Sequence, residues 1–232
     1  MNIFNFFNIQ NNSNLNIPKV DLVKKLLNEI ITPFMNELGL NNWNKNYIWS
    51  SDYNSEGIKH IFYYTYGNKL SGTFQFGNNF NFIPSIDNKI RVIINKDELQ
   101  LFERNKHWHL SFEKKVEKEF YVSHWNEYFL RKSLKKMLDI EKNNIEKWFV
   151  QNNDLYQNID TAINQINTGG AYDLNSPNQK FILAFLYAKI GKLDIGIKTL
   201  EEFYEPRILS NISEKTEFEI MVNKLGEIKN IL

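Results

Sequence analysis

The sequence predicts an α+β fold: an N-terminal helix on an antiparallel meander sheet of about five or six strands, followed by an all-helical C-terminal part. Three observations lead there. Apolar residues recur at steps of three and four from Val20 to Leu38, the period shortens to two between Trp43 and Val122, and helical spacing returns after Ser123. Short turns between successive strands mean antiparallel neighbours, and strands gathered ahead of helices exclude an alternating parallel sheet.

The first helix is predicted over 18–39. Pro18 suits the first helical position, with Asn16 placed to cap it. Val23, Leu26, Leu27, Ile30, Ile31, Phe34 and Met35 form one wide apolar stripe, and Lys24, Lys25, Asn28 and Glu29 fall elsewhere. Pro33 removes one backbone donor and is expected to kink the helix, and Gly39 fits the left-handed position that ends it.

In the sheet region, Ile58, His60, Phe62, Tyr64 and Tyr66 alternate with Lys59, Ile61, Tyr63 and Thr65. Gly67-Asn68 is expected to be a tight hairpin turn, with Gly72, Phe74 and Phe76 on the next strand. Gly77-Asn78-Asn79 is expected to be a second turn, with Phe80 and Phe82 opening a third strand. Asp87-Asn88 marks a third turn before a fourth strand carrying Ile90, Val92 and Ile94. Asn95 is placed to cap a short helix through Phe102, and His107–Glu113 and Phe120–Val122 read as further short strands.

Beyond this, Ser123 is placed to cap a helix carrying Trp125, Tyr128, Phe129, Leu134, Met137 and Leu138. Further helices are expected over Ile145–Val150, Leu155–Ile166, Phe181–Ile190, Leu193–Tyr204 and Glu214–Ile228, punctuated by Gly169-Gly170, Ser176-Pro177, Gly191 and Pro206. The chain thus divides into an extension over 1–17, a helix-plus-sheet domain over 18–122 and a helical region over 123–232, with a soft boundary near 123.

Twenty-eight Lys and Arg stand against 27 Asp and Glu, a net charge of +1 in 232 residues. That balance argues against nucleic-acid binding through bulk electrostatics, which needs a surplus of cations. Apolar residues at 42% and aromatics at 15% suffice for a packed core. There is no cysteine, so disulfides, thiolate nucleophiles and thiolate metal sites are ruled out, and a cytoplasmic location is the expectation. No apolar run reaches the ~18–20 residues of a membrane span, and the first residues lack the basic start and continuous apolar stretch of a signal peptide.

Candidate sites are few. His107 and His109 share one side of a strand, with His124 nearby, and a His-x-His pair is a partial ligand set for zinc or copper. Ser111 and Glu113 take that same side while Trp108, Leu110 and Phe112 take the other, which is also the pattern of a solvated strand face. The sequence contains no Gly-rich phosphate loop, no G-x-S-x-G and no H-E-x-x-H. The run Phe62-Tyr63-Tyr64-Thr65-Tyr66, with Phe74, Phe76, Phe80 and Phe82, has the rings of a base-stacking platform. It lacks the cations of one, so sheet core on one face is the simpler reading. Arg131, Lys132, Lys135 and Lys136 form a one-sign cluster that reads as a solvated helix face or as a docking patch for an acidic partner.

Two resemblances accompany these residues. Ile31-Thr32-Pro33-Phe34-Met35-Asn36-Glu37-Leu38-Gly39-Leu40, then Trp43 and Tyr47-Ile48-Trp49 ahead of hairpin strands, resembles a bacterial family of unknown function over about residues 20–95. Its members open with a helix ending in a Leu-Gly-Phe-like turn before an antiparallel sheet, and some are linked to immunity against polymorphic toxins. Leu40 replaces the commoner Phe, and no functional residue carries over. Leu183-Ala184, Tyr187, Gly191, Gly196 and Leu200 resemble one tetratricopeptide-like helical hairpin, in which Ala184 and Gly196 allow close helix approach and Tyr187 fills the gap. A solenoid needs at least three repeats, and only one is present.

The expectation is a non-enzymatic protein that binds another protein, with no cofactor, no membrane and no nucleic acid. The family resemblance extends this to an immunity protein that neutralises a cognate toxin by covering its active site. The contact residues selected are Tyr63, Tyr66, His107, His109 and Glu113, because surplus Tyr suits a protein interface. The alternative is a metal-dependent enzyme using His107, His109 and His124.

Overall fold

A computed structural model describes residues 20–66, 72–87, 91–103, 127–169 and 177–229. It has the expected class, with α1 (Val20–Glu37) first, then an antiparallel sheet, then helices. The extension over 1–17, the Gly67-Asn68 turn, the strands at 107–113 and 120–122, the Ser123 cap and the boundary near 123 lie outside the described residues. Helix α1 buries the stripe from Val23 to Met35 and carries Pro33 within it. The chain leaves the helix through Gly39, at φ +78°, with the Leu40 N–H bonded to the Met35 carbonyl at 2.9 Å.

The main sheet has five strands: β1 (Asn42–Trp43), β2 (Ile48–Ser50), β3 (Ile58–Tyr66), β4 (Gly72–Phe80) and β7 (Leu101–Glu103), in the spatial order β1-β2-β3-β4-β7 and antiparallel throughout. A separate hairpin pairs β5 (Ser85–Asp87) with β6 (Arg91–Ile93). Cross-strand pairing sets Trp49, Phe62 and Phe76 in one row, and Phe74, Phe80, Tyr64 and Ile58 share that face. All are buried, so the rings on this face are core and not a stacking platform. Trp49 donates its indole N–H to the Thr32 hydroxyl at 2.9 Å, tying α1 to this face.

Two sequence expectations fail here for one reason. Gly77-Asn78-Asn79 is not a turn but the C-terminal part of β4, paired with Ile61, His60 and Lys59. Asn is a poor strand residue in solvent, yet both carboxamides are fully buried and hydrogen-bonded to distant partners, which outweighs local preference. Residues 95–102 form no helix, because the Asn79 amide donates to the carbonyls of Asn95 and Glu98 at 2.9 and 2.8 Å. Those acceptors are thereby taken from any helical turn, and Leu101–Glu103 pairs with β4 instead. Gly77 makes this pairing possible: a β-carbon there would stand 2.2 Å from the Leu101 carbonyl oxygen.

Helix α2 (Glu127–Gln151) is continuous, where two shorter helices were expected. Leu130, Leu134, Met137, Ile145, Trp148 and Phe149 keep one buried stripe along it, with no Gly or Pro to interrupt. It is followed by α3 (Leu155–Thr168), α4 (Gln179–Lys189), α5 (Leu193–Ser210) and α6 (Glu214–Lys229). Gly169 ends α3 as expected, whereas Pro206 lies inside α5, which runs on to Ser210. The close approach foreseen between α4 and α5 is present: a β-carbon at Gly196 would lie 2.7 Å from the Ala184 carbonyl oxygen.

The two halves share one buried cluster running from Val23 through the sheet to Ile228. Polar bonds cross the same seam. The Asn78 amide donates to the Asn152 carbonyl and to the Asn158 side chain, both at 2.7 Å, and its oxygen lies 2.8 Å from the His60 Nδ1. The Leu155 N–H bonds to Glu56 at 2.8 Å, and the Gln165 side chain donates to the Phe102 carbonyl at 3.0 Å.

Two predictions follow from this packing. Gly77→Val forces β7 away from β4, and urea denaturation is expected to show a loss of about 1–3 kcal/mol. Asn78→Leu strands the buried Asn158 and Asn152 groups, and the same measurement is expected to show a loss of about 2–3 kcal/mol.

Candidate functional site

The sheet face opposite the core is largely covered. Ile61, Thr73 and Asn79 on it are buried, and residues 95–98 are pinned across it by Asn79, by Lys59 and by the Ser85–Glu98 hydrogen bond of 2.8 Å. It opens at the β1–β2 edge into a recess of about 450 Å³. Pairing of Asn42 with Ser50, and of Ser50 with Ile61, puts these residues on one face, and Lys59 of β3 shares it. Asp52 and Tyr53 enter from the loop after β2, Asp97 from the pinned segment, and Trp43 also lines the recess.

The lining is held in place. Asn42 donates to Asp52 Oδ1 at 3.0 Å, and the Tyr53 hydroxyl donates to Asn79 Oδ1 at 2.6 Å. The Lys59 ammonium donates to the Lys96 carbonyl at 3.0 Å and to Asp97 Oδ1 at 3.3 Å, and lies 5.7 Å from the Tyr53 ring centroid. Trp43 stacks on Trp49 with centroids 5.9 Å apart and planes 9° from parallel. Ser50 is different: it is 5% exposed, it lines the recess, and its side chain has no hydrogen-bond partner among the described residues. Burial pushes the Tyr53 phenol up, and the Asp97 charge adds to it. Tyr63, on the same face, is pushed up to about 12 by burial first and then by Asp97 and Glu98. Both phenols therefore stay protonated donors at neutral pH, in a negative local field.

Of the residues selected from sequence, Tyr63 lies beside this recess, half-buried and paired with Ile48 and Gln75. Tyr66 ends β3 opposite Gly72, and nothing is described of its side chain. His107, His109, Glu113 and His124 fall outside the described residues, so Tyr63 and these four cannot be placed in one constellation. Among the described residues no group of three or more His, Asp or Glu could hold a metal ion. Sequence reasoning missed Ser50, Asp52, Tyr53 and Asp97, which lie on short or irregular segments without a motif. The only advance signal was the density of Asn, Ser and Asp between the two Trp-bearing strands and β3. In the basic cluster, Arg131 is engaged, bonding Glu127 at 2.8 Å and bridging to Glu29 of α1 at 2.6 Å.

His60 lies at the seam behind this face, its ring 4.7 Å from that of Phe149. Burial holds its pKa below the ordinary 6.5, despite hydrogen bonds with Asn78 and Asn153. No protein-family model matches the chain, and no curated protein and no solved structure gives a match. No helix among the described residues is long and apolar enough to cross a membrane.

The lowered His60 value has a direct consequence. Its stabilisation is complete above pH 6.5, the unfolded value, and is lost as pH falls through the lower folded value. Thermal melts at pH 7.5 and 5.0 are expected to show a drop that His60→Gln reduces.

Proposed function

We propose that the protein binds another protein through the recess at the β1–β2 edge, and that it acts as an immunity protein that blocks a cognate toxin by occupying its active site. The observation that carries this reading is a prearranged recess walled by rings and amides beside the half-buried Tyr63. Aromatic residues with fixed polar partners are the usual anchors of protein interfaces. Rigid lining limits the side-chain entropy lost on docking, about 0.5–1.5 kcal/mol for each mobile side chain otherwise immobilised. The helix-to-sheet resemblance near Leu38-Gly39 supports the immunity part of the reading.

The test is co-expression with candidate toxins drawn from the genes that flank its own. Wild-type protein is expected to restore growth and to elute with the toxin as one complex. Asp97→Arg and Tyr53→Ala are expected to weaken the complex by about tenfold or more each; Asp97→Arg melts near the wild-type temperature, whereas Tyr53→Ala also lowers it, because the buried Asn79 oxygen loses its donor. Unchanged rescue by both variants sinks the reading.

A further inference from the structure

We propose that the group entering the recess is a guanidinium, an arginine side chain presented by the partner. This rests on the docking reading above and names the chemistry that the same site accepts.

Charge gives the first argument. Asp52 and Asp97 line the recess against Lys59, a net charge of −1. Lys59 is already satisfied: only 12% of its side chain is exposed, and its donors are directed to Asp97 and the Lys96 carbonyl. Asp52 is not neutralised. The only hydrogen-bond partner of its carboxylate among the described residues is the uncharged Asn42 amide, on Oδ1. A carboxylate facing a partly enclosed space favours a cation, and more so one that donates several hydrogen bonds.

The second argument is independent of the carboxylates. The Ser50 side chain lies on the recess floor, 95% buried, without a partner. Its hydroxyl still meets the recess, so a donor from outside can bond it in place of water. Guanidinium has five N–H donors in one plane and no acceptor. It can bond the Ser50 oxygen and Asp52 together, and a flat face can stack on the Tyr53 ring, which an ammonium does less well. The space of about 450 Å³ admits such a side chain with water around it. A neutral sugar would also use the hydroxyl and the rings, but it gains nothing from the unneutralised charge.

The probe is N-acetyl-arginine methyl ester, with the citrulline analogue as its uncharged counterpart and methyl β-glucoside as the sugar. Binding to the intact protein is read from amide shifts in NMR and from tryptophan fluorescence. Saturable binding of the arginine probe is expected at millimolar concentration, with shifts at Ser50 and Asp52. Asp52→Asn is expected to weaken it about tenfold and Ser50→Ala about fivefold, both variants melting near the wild-type temperature. Tighter or equal binding of the citrulline analogue or the glucoside overturns the guanidinium assignment. So does the absence of saturation by ~100 mM probe, or an unchanged affinity in Asp52→Asn. Toxin neutralisation that survives Asp52→Asn while Asp97→Arg abolishes it refutes this inference and leaves the docking reading standing. Probe binding with a toxin indifferent to all recess variants has the opposite meaning: the pocket is as assigned and the docking reading fails.

Discussion

One buried carboxamide holds the two halves of this molecule in register. Asn78 sits near the C-terminal end of β4, has no solvent exposure, and engages His60 with its oxygen and Asn152 and Asn158 with its amide. Asn158 in turn donates to the carbonyls of Asn152 and Asp154, and the Asn152 amide donates to the Trp148 carbonyl. Helix α2 therefore ends, the chain turns and α3 starts against a single side chain of the sheet. Hydrophobic contact between Phe76 and Trp148 or Phe149 supplies the larger attraction, but it is non-directional. The amide network selects one of the many orientations that such packing alone would allow.

The same device recurs one residue later and shapes the recess. Asn79 faces the other way, captures the carbonyls of Asn95 and Glu98, and accepts a hydrogen bond from Tyr53. Adjacent asparagines on one strand thus point to opposite faces, one fastening the helices and the other fastening the segment that carries Asp97. The Tyr53 and Asp97 walls of the recess are consequently anchored to β3 and β4 although they lie on loops.

Periodicity made the class of fold legible, and its exceptions are informative. The stripe of α1, the alternation of β3 and the cap at Gly169 follow from short-range rules that tertiary context did not overturn. Gly77-Asn78-Asn79 and Asn95–Phe102 were misread because their hydrogen bonds go to residues far along the chain, and a local window cannot see them. The split of α2 and the stop at Pro206 were misread for a milder reason: a buried stripe sustains a helix through sequence that carries weak breaking signals. Site residues were the least legible. Ser50 and Asp52 become distinctive only through where β1, β2 and the following loop meet, while Tyr63 was selected because it lies on a long alternating strand.

The unbroken length of α2 has a consequence for how this chain tolerates change. Its 25 residues make a rod of about 37 Å. Near its start Arg131 meets Glu29 of α1, and near its end Trp148 and Phe149 meet the sheet. A rod transmits rotation as well as position. One inserted residue in its middle turns the far end by about 100°, whereas seven bring nearly the same side round again. Seven also lengthen the rod by about 10 Å, so insertions that keep both end contacts must be absorbed in the loops on either side.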